Sequence, residues 1–202
     1  MICVIDYGMG NLRSVSKALE KFGADVKISP SHEDLERAEK IVLPGVGAFG
    51  DGASELQKRE LFDPLRKALL GNKPFLGICL GMQLLFDESE ESPGTRGLGI
   101  FSGKVQRFRN LEVKIPHMGW NQMKILRSDT PVLREVRNPS YFYFVHSFYP
   151  VPRDSSAVLG SCEYGGEEFP AFVGRGSVWG SQFHPEKSQD AGLRILQNFV
   201  AF

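Results

Sequence analysis

Gly77-Ile78-Cys79-Leu80-Gly81-Met82-Gln83 decides how this chain is read. Ahead of it, Lys73-Pro74-Phe75-Leu76-Gly77-Ile78 is a turn signal followed by a short apolar run, the composition of a buried strand. Behind it, Met82-Gln83-Leu84-Leu85-Phe86 changes to the three-and-four spacing of a helix. A strand therefore passes sharply into a helix at Cys79. Gly-x-Cys-x-Gly at such a junction has the form of a nucleophile elbow, in which flanking glycines let the backbone turn tightly and lift the thiol above the sheet edge. The unpaired N–H groups at the start of the helix favour a thiolate, so Cys79 reads as an activated nucleophile. These residues alone also fit a buried cysteine at a Gly-rich strand end, since free cysteine is among the most buried residue types.

Upstream, Ile2-Cys3-Val4-Ile5 reads as a strand and Asp6-Tyr7-Gly8-Met9-Gly10 as the loop to a helix. That helix carries Leu12, Val15, Leu19 and Phe22 on one face, with Asn11 at its N-cap and Gly23 at its end. Gly8-x-Gly10 lacks the third glycine of a dinucleotide-binding loop, where Arg13 stands, and reads as a structural turn. Strands follow at 25–29 and 40–44 with a polar connection over 30–40, and a helix spans about 53–70, interrupted near Pro64. Strands alternating with helices imply parallel crossovers in an α/β sheet. The strand at 40–44 runs into Pro44-Gly45-Val46-Gly47-Ala48-Phe49-Gly50. Open α/β sheets bind ligands in such loops at strand C-termini, although a Gly-rich loop is more often only a turn.

Beyond Asp87 the chain changes character. Glu88-Ser89-Glu90-Glu91-Ser92-Pro93-Gly94 reads as a solvated acidic loop, and strands are then expected at 104–108, 122–126, 141–149, 157–164, 171–173 and 177–182, with a helical turn at 131–136. An amphipathic helix over 188–202 places Leu193, Leu196, Phe199 and Val200 on its core face. The expected fold is α/β, one domain over 1–202: an open, mostly parallel sheet flanked by helices, with additional antiparallel strands in the second half.

The totals fit this expectation. A chain of 202 residues with 42% hydrophobic content buries a sizeable core. Lys plus Arg number 24 and Asp plus Glu number 24, so nothing marks a nucleic-acid groove. Cys3, Cys79 and Cys162 are an odd count without a close pair, which favours a reducing compartment. Met1 leads directly into a strand, with no basic region or long apolar segment, so a cytoplasmic protein is expected.

The histidines are His32, His117, His146 and His184. His32 stands in a charged loop and reads as a surface residue. His184 follows the strand that ends Trp179-Gly180-Ser181-Gln182-Phe183 and precedes Pro185-Glu186. Proline biases His184 toward extended backbone, where residues two apart share a side, so Glu186 can orient the imidazole and the imidazole can face a nucleophile. Alone, His-Pro-Glu also fits a capping or surface role. No Cys-x-x-Cys or His-x-x-x-His pairing suggests a metal site, and no cofactor is expected.

Together, the elbow, Gln182-Phe183-His184-Pro185-Glu186 and the Pro44–Gly47 loop resemble the class I (triad) glutamine amidotransferases. Four further stretches are similar to the branch of that family that serves imidazole glycerol phosphate synthases: Asp6-Tyr7-Gly8-Met9-Gly10-Asn11-Leu12-Arg13-Ser14, Leu43-Pro44-Gly45-Val46-Gly47-Ala48-Phe49, Pro116-His117-Met118-Gly119-Trp120-Asn121 and Tyr143-Phe144-Val145-His146-Ser147-Phe148-Tyr149.

The resemblance implies a flavodoxin-like fold and a glutaminase in histidine biosynthesis. It makes Cys79 the nucleophile, His184 the base and Glu186 its orienter, with Leu80, Val46 and Gly47 around the oxyanion. It assigns Gln83, His146, Ser147 and Phe148 to glutamine, and His117, Trp120, Asn121 and Lys187 to a partner interface or gate. The implied partner is a (β/α)8-barrel cyclase subunit in a heterodimer, which receives the ammonia. Read without the resemblance, Gln83 is a solvated helix residue and Trp120 a core residue. Glycines on both sides of Val46 make a flip of its peptide cheap, so this loop is expected to gate the oxyanion site. Rival readings are the glutaminase of another amidotransferase, a cysteine peptidase on a similar sheet, and a non-catalytic subunit that kept the fold.

Overall fold

The apolar runs of the first half become parallel neighbours. In the computed structural model, which describes residues 1–109 and 112–202, they are β1 (Ile2–Ile5), β2 (Val26–Ser29), β3 (Lys40–Gly45) and β4 (Phe75–Cys79). Between them lie α1 (Leu12–Glu20), α2 (His32–Arg37), α3 (Phe49–Lys58) and α4 (Phe62–Leu70). α5 (Leu80–Gln83) follows β4 directly. The remaining strands are β5 (Phe86–Ser89), β6 (Phe101–Arg107), β7 (His117–Ile125), β8 (Ser140–His146), β9 (Phe148–Pro152), β10 (Val158–Tyr164), β11 (Glu167–Arg175) and β12 (Val178–Ser181), and α6 (Gln189–Ala201) comes last.

One sheet has nine strands in the order β2-β1-β3-β4-β12-β11-β10-β7-β8. From β2 to β12 the pairings are parallel, and from β12 to β8 antiparallel, so the second-half strands extend the parallel sheet as expected. β5, β6 and β9 form a separate three-stranded sheet. Strand alternation sends successive side chains of β1 to opposite faces: Ile2 and Val4 join Val15, Leu19 and Phe199 on one side, Cys3 and Ile5 join Leu35, Leu56 and Leu65 on the other. Both faces are covered over the inner strands β1, β3 and β4, which are apolar almost throughout, while the edge strand β2 carries Lys27 and Ser29. Lys40 Nζ donates to the Phe199 carbonyl at 3.2 Å and to that of Val200, tying the end of α6 to the start of β3.

The structure departs from the sequence reading in several places, among them the helix read over 82–86, which stops at Gln83. The polar connection over 30–40 holds α2, capped by Ser31, whose Oγ accepts from the Asp34 N–H at 3.3 Å. Its single buried side chain, Leu35, gives no readable period. The helix expected over 53–70 is two helices, and the break falls at Glu60 (φ +57) rather than at Pro64. Pro64 sits in the first turn of α4, where a missing N–H costs nothing. The strand expected at 141–149 divides at Ser147 into β8 and β9, which enter different sheets. Finally, the acidic segment is structural: Glu91 accepts from the Phe49 N–H at 2.8 Å and Ser92 from the Gly50 N–H at 3.0 Å, capping α3 from a distance.

Because Leu35 alone fastens α2 to the core, Leu35→Ala is expected to cost about 2–5 kcal/mol in urea unfolding, at the large-to-small range for a buried leucine.

Candidate active site

Cys79 ends β4 and caps α5 with φ +54 and ψ −107, a sparsely populated conformation that costs a non-glycine residue roughly 1–3 kcal/mol. The two glycines make the turn possible by close approach. A Cβ on Gly77 would lie 2.5 Å from the Gly81 carbonyl oxygen, and one on Gly81 would run into the carbonyl oxygen of Leu43 in β3. The thiol is 7% exposed at the floor of a cavity of about 280 Å³.

β12 brings the second group. After it, His184 is extended (φ −97, ψ 98) and Pro185–Lys187 make a 3-10 turn. His184 Nδ1 and Glu186 Oε1 are 2.9 Å apart, with side chains 5% and 1% exposed. The expected pair therefore forms, across a turn rather than along an extended segment. The imidazole is held from behind: its backbone N–H donates to the Tyr143 carbonyl at 3.0 Å, and Ser188 Oγ donates to its carbonyl at 2.6 Å. Among the described residues His184 Nε2 and Glu186 Oε2 are buried without hydrogen-bond partners, and the Cys79 thiol acts on the imidazole electrostatically. Burial would lower the His184 pKa, but the interactions with Cys79 and Glu186 outweigh it and hold the imidazole up at about 10. A raised value stabilises the fold fully below the unfolded value near 6.5, and that contribution is lost as pH rises through about 10.

The cavity wall gathers most of the residues singled out in the sequence. Val46, Gly47 and Leu80 line one side, Gln83, His146, Ser147 and Phe148 another. The loop before Val46 is wedged: a Cβ on Gly45 would strike the Tyr7 hydroxyl and lie 2.9 Å from Leu80 Cβ, while Gly47 has φ +103. Gln83 is 5% exposed, not solvated. Its Nε2 donates to the Phe148 carbonyl at 3.0 Å and to Gln182 Oε1 at 3.2 Å, which leaves the amide oxygen as the group it can offer a ligand.

The four residues expected at a partner interface or gate separate. Trp120 is 46% exposed and Met118, on the same face of β7, is 59% exposed. The Trp120 ring meets Tyr143 edge-on at 6.2 Å, and the Lys187 ammonium stands 5.9 Å from that tyrosine ring. Asn121 is half-buried on the other face of β7, donating to the Glu163 carbonyl at 2.7 Å. His117 is 3% exposed and bonded to His146 at 3.1 Å, so its ring lies on the inner face of β7.

Sequence reasoning missed Gln182, whose Nε2 reaches Cys79 Sγ at 3.7 Å, and Glu91, which lines the cavity. A glutamine inside the apolar run before His184 was a signal for the first; the acidic loop gave none for the second. Tyr7, with a buried hydroxyl lacking a partner, was also passed over. Cys3 and Cys162 are buried, and burial raises both thiols, Cys3 to about 11, which leaves them unreactive fillers of strands. Among the described residues, no group of three or more His, Cys, Asp or Glu is placed to hold a metal ion, and no helix is long and apolar enough to cross a membrane.

Comparison with known proteins adds to this geometry. The family described as Glutamine amidotransferase class-I matches residues 3–201. The chain is 51% identical, over 99% of its length and 96% of the relative's, to the "Imidazole glycerol phosphate synthase subunit HisH" of Geobacillus kaustophilus (strain HTA426). It is 48% identical to the protein of the same name from Methanocaldococcus jannaschii, over 99% and 98% of the two lengths. Among solved structures, "Structure of PurLQS from Thermotoga maritima" superposes with a TM-score of 0.78 at 24% identity over 99% of this chain and 97% of that one, a likeness of fold.

Removing the thiol removes one of the groups that hold the imidazole up. Cys79→Ala is therefore expected to move the His184 titration downward from about 10, as is Glu186→Gln, followed by NMR of the ring carbons; an unchanged midpoint in both would contradict the coupling.

Proposed function

The chain belongs to the class-I glutamine amidotransferase family, and on that premise we propose that it is the glutaminase subunit of an imidazole glycerol phosphate synthase, acting as one unit over residues 1–202. The observation that carries the reading is the buried His184–Glu186 pair set against the Cys79 elbow at the floor of a cavity. The shared name of relatives at 48% and 51% identity supports this branch over other amidotransferases.

In this reading the proton of the Cys79–His184 pair already rests on His184 Nε2, where Cys79 and Glu186 hold it, and Cys79 Sγ attacks the side-chain carbonyl of glutamine. The oxyanion faces the Leu80 N–H and an N–H of the Val46–Gly47 loop. His184 returns the proton to the leaving nitrogen, ammonia departs, and a thioester remains. Water, deprotonated by His184, then cleaves the thioester, giving glutamate and restoring the Cys79–His184 pair. Glu186 keeps the imidazole oriented throughout. Gln83 offers its amide oxygen to the α-ammonium group of glutamine, since its amide protons are already committed. Metal or cofactor has no part in this scheme.

Ammonia passes to a partner, a (β/α)8-barrel cyclase that makes imidazole glycerol phosphate and an aminoimidazole carboxamide ribonucleotide. The exposed Met118 and Trp120 of β7, with Tyr143 and Lys187 beside them, form the apolar and aromatic patch on which that partner docks. The oxyanion loop is its gate. Val46 is 46% exposed and precedes a glycine at φ +103, so its peptide reorients at little cost when the partner and nucleotide bind.

Glutamate release tests the reading, measured for wild type and Cys79→Ala, each alone and with the cyclase and its nucleotide. Wild type in the complex is expected to exceed Cys79→Ala by about four to six orders of magnitude. It should also exceed the isolated chain by about a hundred- to a thousandfold, the worth of one oxyanion donor. Equal rates with and without Cys79 would overturn the glutaminase; equal rates with and without the partner would overturn the gate. Trp120→Ala is expected to weaken partner binding about thirtyfold, as for loss of a hot-spot aromatic, without moving the His184 titration.

A further inference from the structure

Two histidines that take no step in the chemistry above lie buried beside the cavity, and their protons can be placed. The Phe148 carbonyl only accepts, so His146, 2.9 Å away through Nδ1, carries a proton there. Burial pulls the His146 pKa down to about 3 and that of His117 to about 4, so both rings are neutral. A neutral His146 with its proton on Nδ1 has a bare Nε2, which accepts from His117 Nδ1–H at 3.1 Å. His117 Nε2 is then bare in turn and accepts from Asn121 Nδ2 at 3.3 Å. Asn121 cannot turn over, because Nδ2 also donates to the Glu163 carbonyl at 2.7 Å and its oxygen accepts the Gln122 N–H at 2.7 Å. Every donor therefore points one way, from Asn121 through His117 and His146 to the Phe148 carbonyl.

A second donor reaches that carbonyl from the cavity side. Gln83 Nε2 bonds it at 3.0 Å and spends its other proton on Gln182 Oε1, and Gln182 Nε2 reaches Cys79 Sγ. The Phe148 carbonyl is thus the junction between the histidine chain and the groups around the nucleophile. The rings are packed too tightly to adapt: His117 stacks on Tyr164 at 4.1 Å and on Phe144 at 5.0 Å, and His146 lies 5.2 Å from Phe169. If His146 moved its proton to Nε2, its bare Nδ1 would face the carbonyl oxygen, and two lone pairs would repel where a hydrogen bond now holds.

We propose that His117 is a positioning residue for the glutamine site: by donating to His146 Nε2 it keeps His146 bonded to the Phe148 carbonyl, and so keeps Gln83 in the one orientation that presents its amide oxygen to the cavity. The inference rests on the glutaminase reading for its kinetic consequence, and on the hydrogen-bond geometry for its structural one.

The test compares His117→Gln with His117→Asn in the assembled enzyme, with His146 followed by 15N NMR. An asparagine amide nitrogen takes the place of Nδ1 and still donates to His146; a glutamine nitrogen takes the place of Nε2 and does not. His117→Gln is expected to raise KM for glutamine about tenfold, the worth of one hydrogen bond, with kcat changed less than about threefold. His117→Asn should bring KM back to within about threefold of wild type. In the spectra, His146 is a single Nδ1–H tautomer in wild type and in His117→Asn, and a mixture in His117→Gln. A loss in kcat at unchanged KM, or the two variants behaving alike, overturns the proposal. Wild-type turnover of glutamine in the same series tests the glutaminase reading separately. If that turnover is absent, an Nε2–H tautomer in wild-type His146 still overturns the positioning chain, and a single Nδ1–H tautomer there still supports it.

Discussion

The contact between Gly81 and the Leu43 carbonyl sets the geometry on which the site depends. It lets α5 begin directly over the end of β3, at the turn where Cys79 takes its positive φ. The same junction organises two neighbouring loops. Gly10, at φ +106, packs its Cα against the Pro44 carbonyl, where a Cβ would approach to 3.2 Å; Gly45 packs between Tyr7 and Leu80. Three loops, after β1, β3 and β4, are thus pressed together at one end of the sheet with only glycine able to occupy the contacts. The strain at Cys79 persists because the surrounding core over-determines it: Ile78, Leu80 and Met82 are essentially inaccessible to solvent.

The two halves of the large sheet contribute different things. The parallel half supplies the Cys79 elbow and the Gly-rich loop beside it; the antiparallel half, through the passage from β8 into β9 of the small sheet, supplies the cavity wall at 145–148; and β12, at the seam, delivers His184 and Glu186. Electrostatics separates the histidines found there. His184 has a carboxylate and a thiol as neighbours and is raised, whereas His117 and His146 have burial as their dominant influence and are lowered. Neighbouring rings are thereby given opposite protonation states, one equipped to carry a proton and two fixed as neutral spacers.

Much of this was legible in the sequence. The elbow is local: two glycines, a cysteine and a switch of period lie within a few residues, and short-range sterics settle the backbone. His184 and Glu186 were readable because they are two residues apart. The cavity residues Val46, Gln83, His146 and Phe148 came from family resemblance, since no local pattern says that segments so far apart in the chain share a wall. What escaped was non-local or weakly periodic. α2 has one buried side chain, so its only sequence mark is a cap at Ser31. β7 exposes Met118 and Trp120 while burying His117, which inverts the usual apolar-in alternation and hid the start of the strand. Gln182 and Glu91 owe their importance to partners far away in the chain.

The placement of β12 has a consequence for how the protein is made. Among the described strands it stands furthest along the chain, yet it lies in the middle of the sheet, between β4 and β11. While the chain is still emerging from the ribosome, the edge of β4 that ends in Cys79 has no neighbour, and the thiol has not met His184. An unfilled seam of this kind is exposed to mispairing, and contacts so distant in sequence form slowly. The same delay keeps Cys79 apart from His184 and Glu186 until late in synthesis. A chain that stops short of His184 carries the elbow without the buried His184–Glu186 pair, so the order of translation completes the cavity only once β12 and the helix clamped by Lys40 have been delivered.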